Sequence, residues 1–194
     1  EDECGTCDDI PSNDCFDYDL DLHAGANLIS FYALPEDSSV SSILAPLGNT
    51  VSGVITEGGA CSQIAQDIWV GSHCTFHCED GYWMLLNAIN TLTINDAVPC
   101  DNEYCLHTGA NLISFPSDGS VGIGAGLPDE IEGSVGGVIT EGGACSQMAP
   151  GFWIGSHCDF HGTDGYWMIT SADFCFEYDL STLARTNIAY KEEK

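Results

Sequence analysis

Gly137-Val-Ile-Thr-Glu-Gly-Gly-Ala-Cys-Ser-Gln147 repeats, residue for residue, the stretch at positions 53–63. The sequence around it returns as well. Gly25-Ala-Asn-Leu-Ile-Ser-Phe31 recurs at 109–115, Gly71-Ser-His-Cys74 at 155–158, and Gly81-Tyr-Trp-Met84 at 165–168. In every case the second occurrence lies 84 positions after the first, from 25 to 109 as from 53 to 137. A constant offset leaves no room for a net insertion, so the chain reads as one small module present twice, and such a period decides the fold before any local signal does. The divisions that follow are an N-terminal arm (1–15), a first module (16–94), a linker (95–103), a second module (104–180) and a C-terminal tail (181–194).

Within the first module, Phe16, Tyr18, Leu20 and Leu22 alternate with Asp17, Asp19 and Asp21, the period of a half-buried strand. Leu28-Ile-Ser-Phe31 follows a Gly-Ala-Asn turn as a second strand. Val40, Ile43, Leu44 and Leu47 recur at helical spacing, which predicts a short helix over 37–47 with Asp37 or Ser38 as its cap and a break near Pro46 and Gly48. The second copy reads SVGIGAGLPDEIEGS there, which predicts a loop or a single turn. Val54-Ile55, Ile68-Trp-Val70, residues 81–86, residues 91–94 and, at the end of the second copy, residues 174–180 read as strands. Short strands with Gly-rich turns and one short helix predict an all-β class: two tandem copies of a small β-sandwich or barrel-like module.

Thirty acidic residues face three basic ones, for a formal charge of −27. No basic patch can be assembled from that, which excludes nucleic acid as a partner and disfavours anionic lipid. No apolar run is long enough to span a bilayer. The charge reads first as a solvated, self-repelling surface and second as a calcium-loaded one, for which loops of the Asp-x-Asp-x-Asp-Gly kind would be needed and none occurs. No Asn-x-Ser/Thr sequon is present. The chain begins at Glu1 rather than Met, as a processed chain would, and a leader is expected to have been removed or to lie outside it.

Eleven cysteines with one Cys-x-x-Cys pair, Cys4 and Cys7, predict disulfides in a secreted protein rather than metal knuckles. Comparing the copies sorts them. Cys61 and Cys74 recur as Cys145 and Cys158, so each pair is expected to bond within its copy, contributing roughly 3 kcal/mol by restricting the unfolded chain. Cys105 and Cys175 occur only in the second copy, on the polar sides of its first and last strands, and are expected to bond across them. Cys4, Cys7, Cys15, Cys78 and Cys100 are left, an odd number of candidates for an unpaired thiol or an intermolecular bond.

The chemistry-bearing positions are few. His73 and His77, matched by His157 and His161, have the spacing of a zinc or copper site, but in an extended segment the two rings of a pair stand about 13 Å apart. They read first as surface-turn residues and second as metal ligands. His23 and His107 occupy matching turns and are expected to bond locally. Trp69, Trp83, Trp153 and Trp167 read as core rather than as sugar platforms. Glu57 and Glu141 lie in identical Thr-Glu-Gly-Gly turns, and one carboxylate per copy is no general acid/base pair. No nucleophile elbow, phosphate loop, dinucleotide fingerprint or His-Glu-x-x-His occurs. Catalysis is not expected, and no cofactor is implied.

The opening Gly-Ala-Asn-Leu-Ile-Ser-Phe, the central Trp-Val-Gly-Ser and the closing Gly-Tyr-Trp-Met resemble a tandem repeat of large secreted and cell-surface proteins of marine and other environmental microbes. The resemblance covers about residues 16–94 and 104–180. It implies an extracellular, non-catalytic, β-rich building block, and it carries no active-site residues. The cysteines of GGACSQ and GSHC depart from the commoner form and imply a disulfide-hardened version.

All three basic residues, Arg185, Lys191 and Lys194, sit in the tail STLARTNIAYKEEK, where Ile188 and Tyr190 alternate with smaller or polar residues. A cationic tail on an anionic body suits docking on another copy of that body, and an alternating segment can add a strand to an open sheet edge. The expectation is an extracellular structural protein that assembles head to tail into a surface fibre, with copies of itself as partners. A carbohydrate-binding or adhesion module acting on glycans or a cell surface is the alternative, and a metal-binding surface protein the third reading.

Overall fold

The computed structural model describes residues 16–183, without the side chain of Phe16. Strands make up 54% of it and helix 11%, so the class is mainly β; the sheets are open and none closes into a barrel.

The alternating acidic segment forms β1 (Phe16–Leu22), with Leu20 and Leu22 buried. It pairs antiparallel with the long strand β8 (Asn90–Pro99), which also holds the two-residue β3 (Ala33–Leu34). On the outer side, Thr93 and Thr91 donate their hydroxyl protons to Asp19 (2.6 Å) and Asp21 (2.9 Å), which partners the exposed carboxylates of β1 across the pair. β8 runs to Pro99 and so takes in residues 95–99, which the sequence places in the linker.

The central sheet has five strands in the order β2-β7-β4-β5-β6, namely Gly25–Ser30, Gly81–Leu86, Val51–Thr56, Gly59–Ala65 and Ile68–Gly71. A second sheet has the order β10-β16-β12-β13-β14, namely Gly109–Ile113, Tyr166–Thr170, Val135–Thr140, Gly143–Ala149 and Phe152–Gly155. The pairings match one for one: Val54 faces Cys61 as Val138 faces Cys145, and Ile55 faces Trp83 as Ile139 faces Trp167. Even the bulge in β5 between Gln63 and Ala65 returns in β13 between Gln147 and Ala149. Two small pairs complete the fold, β9 (Tyr104–Leu106) with β17 (Phe174–Phe176) and β11 (Ser120–Gly122) with β15 (Asp159–His161).

Each five-stranded sheet covers its own core. Phe31, Phe76, Tyr82 and Met84 centre the first; Phe115, Phe160, Tyr166, Met168 and Tyr178 centre the second. Phe76 meets Tyr82 edge to face at 4.9 Å and Phe160 meets Tyr166 at 5.0 Å, the geometry that the ring quadrupoles favour.

The helical region is shorter than its spacing predicts. α1 spans Val40–Ile43, capped by Ser39, whose hydroxyl accepts from the Ser42 N–H; a 3₁₀ segment, Ala45–Thr50, follows. Pro46 has no N–H to continue an α-helix, and Gly48 takes a φ of 52°. The corresponding Gly-rich stretch holds two single turns, α2 (Ile123–Gly126) and α3 (Asp129–Glu132). Buried Ile123 and Ile131 anchor them, so packing outweighs the low helix propensity of glycine.

Candidate functional site

The duplicated stretch is the hairpin turn from β4 to β5, and again from β12 to β13. Five of its residues, Thr56, Glu57, Gly58, Gly59 and Cys61 and their counterparts, have a visible task. The Thr56 hydroxyl donates to Gly81 O at 3.0 Å, tying the turn to β7, and Thr140 does the same to Gly165 O. Gly58 and Gly142 both take φ of 76°, a conformation that L side chains rarely adopt. Gly59 and Gly143 face the rings of His73 and His157 so closely that a Cβ would overlap them. Cys61 and Cys145 carry the disulfides to Cys74 and Cys158.

The glutamate of the turn leaves its own half of the chain. Glu57 Oε1 lies 2.5 Å from His107 Nε2, and its Oε2 accepts the Leu112 N–H at 3.0 Å. Glu141 makes the same pair of contacts in reverse, Oε1 with His23 Nε2 at 2.5 Å and Oε2 with the Leu28 N–H at 2.9 Å. The histidines are presented by the asparagine of the GANLISF motif. Asn27 Oδ1 accepts the His23 N–H and its Nδ2 donates to His23 O; Asn111 holds His107 identically. Both asparagines are buried.

Electrostatics follow from these contacts. His23 Nδ1 faces Ala24 O at 2.8 Å and His107 Nδ1 faces Thr108 O at 2.9 Å. A carbonyl only accepts, so Nδ1 carries the proton, and a carboxylate at Nε2 favours a second one. The His23 pKa is raised by the Ala24 carbonyl and by Glu141; that of His107 is raised by Glu57 and by the Thr108 carbonyl. Nearby, burial raises the carboxyl pKa values of Asp80 and Asp164.

Backbone contacts share the reciprocity. The Ser30 N–H donates to Thr163 O at 2.8 Å, and the Ser114 N–H to Glu79 O at 3.1 Å. Asp80 bridges to Ile113 and Asp164 to Ile29. A Cβ on Gly81 would come within 2.8 Å of Ile113 O, and one on Gly165 within 2.6 Å of Ile29 O. Leu28 and Leu112, on the outer faces of their sheets, are buried here. Contacts that repeat with the partners exchanged describe a pseudo-two-fold interface.

Cys105 bonds to Cys175 as a directly facing cross-strand pair. Cys78 and Cys100, read from sequence as unpaired or intermolecular, are joined to each other. The internal comparison could not pair them, because Cys78 corresponds to Gly162, where a Cβ would run into the Ser117 backbone. Cys4, Cys7 and Cys15, and Arg185, Ile188, Tyr190, Lys191 and Lys194, lie outside the described residues. His73 and His157 face the neighbouring Ser72 and Ser156 hydroxyls; the His77 and His161 N–H groups donate to Tyr82 and Tyr166. Among the described residues no three His, Cys, Asp or Glu side chains converge as a metal-ligand set. His23 and His107 bond across the interface as well as locally, which local sequence cannot reveal. The four tryptophans are half-buried: Trp69 and Trp153 pack on the two cores, and Trp153 donates to the buried Glu132 at 2.6 Å.

One further surface stands out. On the β5–β6 hairpin Ile64, Ile68 and Val70 are exposed, and on the β13–β14 hairpin Met148, Phe152 and Ile154 are exposed. The sequence reads Ile68-Trp-Val70 as a strand and the Thr-Glu-Gly-Gly segment as a turn, and it assigns no strand to the residues of β5 and β13 that follow that turn. No described helix is long and apolar enough to cross a membrane. No family model, curated protein or solved structure matches the chain.

Proposed function

We propose that the chain is an extracellular structural protein, a disulfide-stabilised tandem duplication that assembles head to tail into a surface fibre through its terminal segments. The observation that carries the reading is the separation of charge. Residues 16–183 contain no Lys or Arg, while the tail holds all three, against a total of −27. The tail leaves from a fixed point, since Leu180 and Leu183 pack against the second core. Four disulfides are compatible with an oxidising, extracellular setting. The matched registers of the two five-stranded sheets and the exchanged contacts between them support reading residues 16–94 and 104–180 as two copies of one module. Deleting residues 181–194 and imaging the secreted protein in negative stain tests the reading. Loss of fibres is expected, and fibres that persist unchanged overturn it.

The glycan-binding alternative rests on Trp83 and Trp167, half-exposed on the outer sheet faces. Their cross-strand neighbours, Leu28 and Ile55, Leu112 and Ile139, are aliphatic and offer none of the polar groups that orient a sugar. Saturable glycan binding by a monomer would favour it over the fibre.

A further inference from the structure

We infer that β6 of one subunit pairs with β14 of the next, so that two five-stranded sheets run on into each other across the subunit contact. This rests on the fibre reading and adds to the junction made by the tail a second contact between the same two subunits, neither of which holds the junction alone.

β6 and β14 are the outermost strands of their sheets. Among the described residues neither makes a backbone hydrogen bond beyond β5 or β13. Both edges therefore offer unused N–H and C=O groups, the template that an added strand requires.

The side chains point to the same use. Trp69 and Trp153 turn inward onto the cores, so the residues flanking them face out. Ile64, Ile68 and Val70 are 67%, 53% and 57% exposed; Met148, Phe152 and Ile154 are 67%, 56% and 54%. The central core positions of the two copies hold the same residues, for example Phe31 and Phe115, Tyr82 and Tyr166, Met84 and Met168. These three outer positions hold different residues in each copy, yet all stay large, apolar and equally open. A position without a task in so acidic a chain would drift to polar residues. Exposed apolar surface kept in both copies marks an interaction site.

Charge identifies the occupant as a second copy. Residues 58–72 and 142–156 carry one charged side chain between them, Asp67. Two bodies of −27 repel each other, and they can approach closely only where their surfaces are neutral. A basic partner would be drawn to the acidic faces instead. The strands also fit each other. Each is four residues long with the pattern apolar, Trp, apolar, Gly. An antiparallel pairing that sets Ile68 opposite Ile154 sets Val70 opposite Phe152 and Trp69 opposite Trp153. One edge of each kind per subunit gives a contact that propagates without closing.

The test uses full-length Ile68→Lys/Val70→Lys and Phe152→Lys/Ile154→Lys, with Ile68→Thr/Val70→Thr and Phe152→Thr/Ile154→Thr as milder versions should a lysine variant fail to fold. Assembly is followed by light scattering and sedimentation between low and high salt. The wild type is expected to polymerise, salt screening both the repulsion between the bodies and the attraction of the tail. Each variant alone is expected to be monomeric, and an equimolar mixture of the two to form 1:1 dimers and nothing larger. Variants that polymerise like the wild type overturn the edge contact and leave the fibre reading standing. Dimers of one variant alone, or a mixture that stays monomeric, overturn the pairing of β6 with β14. A wild type that never assembles overturns both.

Discussion

Glu57 and His107, fifty positions apart in the chain, are joined at 2.5 Å across the interface between the two five-stranded sheets, and Glu141 and His23 repeat the contact with the roles exchanged. The second oxygen of each carboxylate accepts a half-buried N–H, from Leu112 or Leu28. Glu57→Ala and Glu141→Ala each leave one such donor without its acceptor, at about 1–3 kcal/mol. For a chain of this length each kcal/mol lowers Tm by about 2–4 °C. The two variants should lose similar amounts in thermal melts. A double-mutant cycle should find coupling between Glu57 and His107 and none between Glu57 and His23. Coupling of the second pair, or none in the first, would contradict the exchange of partners.

The same contacts set a pH dependence. The folded-state pKa values of His23 and His107 are raised. Their contribution is therefore fully present below the ordinary histidine value of about 6.5 and is lost as pH rises through the raised folded values. His107 also faces Asp173, whose carboxyl is held below its usual range by hydrogen bonds from Thr108. Burial raises the Asp80 and Asp164 carboxyls, so the fold binds those protons more tightly and gains stability as pH falls toward the ordinary carboxylate range of about 4. Both effects make the interface firmer in mild acid. Denaturant midpoints measured between pH 5 and 9 should fall with rising pH, and less steeply in His23→Gln/His107→Gln. An unchanged slope in that variant would remove the histidines from the account.

Most of the strands were legible because the period of two at residues 16–22 and the 84-residue offset are local or self-referential signals. The offset also sorted Cys61, Cys74, Cys145 and Cys158, and the unmatched Cys105 and Cys175. The interface was not legible. Nothing local distinguishes a glutamate that reaches another half of the chain from one that faces water. The Thr-Glu-Gly-Gly turn is identical at both positions, and in each it carries a contact to the other half of the chain. The Cys78–Cys100 bond was hidden for the opposite reason, since it has no counterpart 84 positions on. The helix expected over 37–47 is shorter than its apolar spacing suggests, because Pro46 and Gly48 interrupt it.

The glycines divide into those that a methyl group would disrupt and those it would not. Gly81 and Gly165 sit against the Ile113 and Ile29 carbonyls of the opposite half. An added methyl cannot be accommodated by turning a side chain, because the obstacle is backbone. Gly81→Ala and Gly165→Ala should each cost about 1–3 kcal/mol, as overpacking does. Gly133, at the end of α3, has ordinary helical φ and ψ, and open space lies where a Cβ would stand. Gly133→Ala should be neutral or stabilise by up to about 1 kcal/mol through the unfolded chain. Denaturant titrations of the three variants check the contrast, and a Gly133 variant weaker than the Gly81 variant would refute it.

The disulfides differ in the length of chain they close. Cys61–Cys74 and Cys145–Cys158 each close 13 residues, whereas Cys105–Cys175 closes 70. If they act mainly on the unfolded ensemble, the short bonds contribute about 3 kcal/mol each and the long one about 4. Cys61→Ser/Cys74→Ser and Cys145→Ser/Cys158→Ser should then be equally destabilised, since both bonds pass between corresponding strands and turns. Cys105→Ser/Cys175→Ser should lose more, and it should lose it in the second core alone, because Tyr104, Phe174 and Phe176 beside that bond pack there. Hydrogen exchange resolved by residue separates the outcomes. Faster exchange in β9, β16 and β17, with β2, β4 and β7 unchanged, is the expected result. Uniform acceleration across both sheets would mean that the clamp between Glu57, Glu141 and their histidines couples the two cores into one cooperative unit.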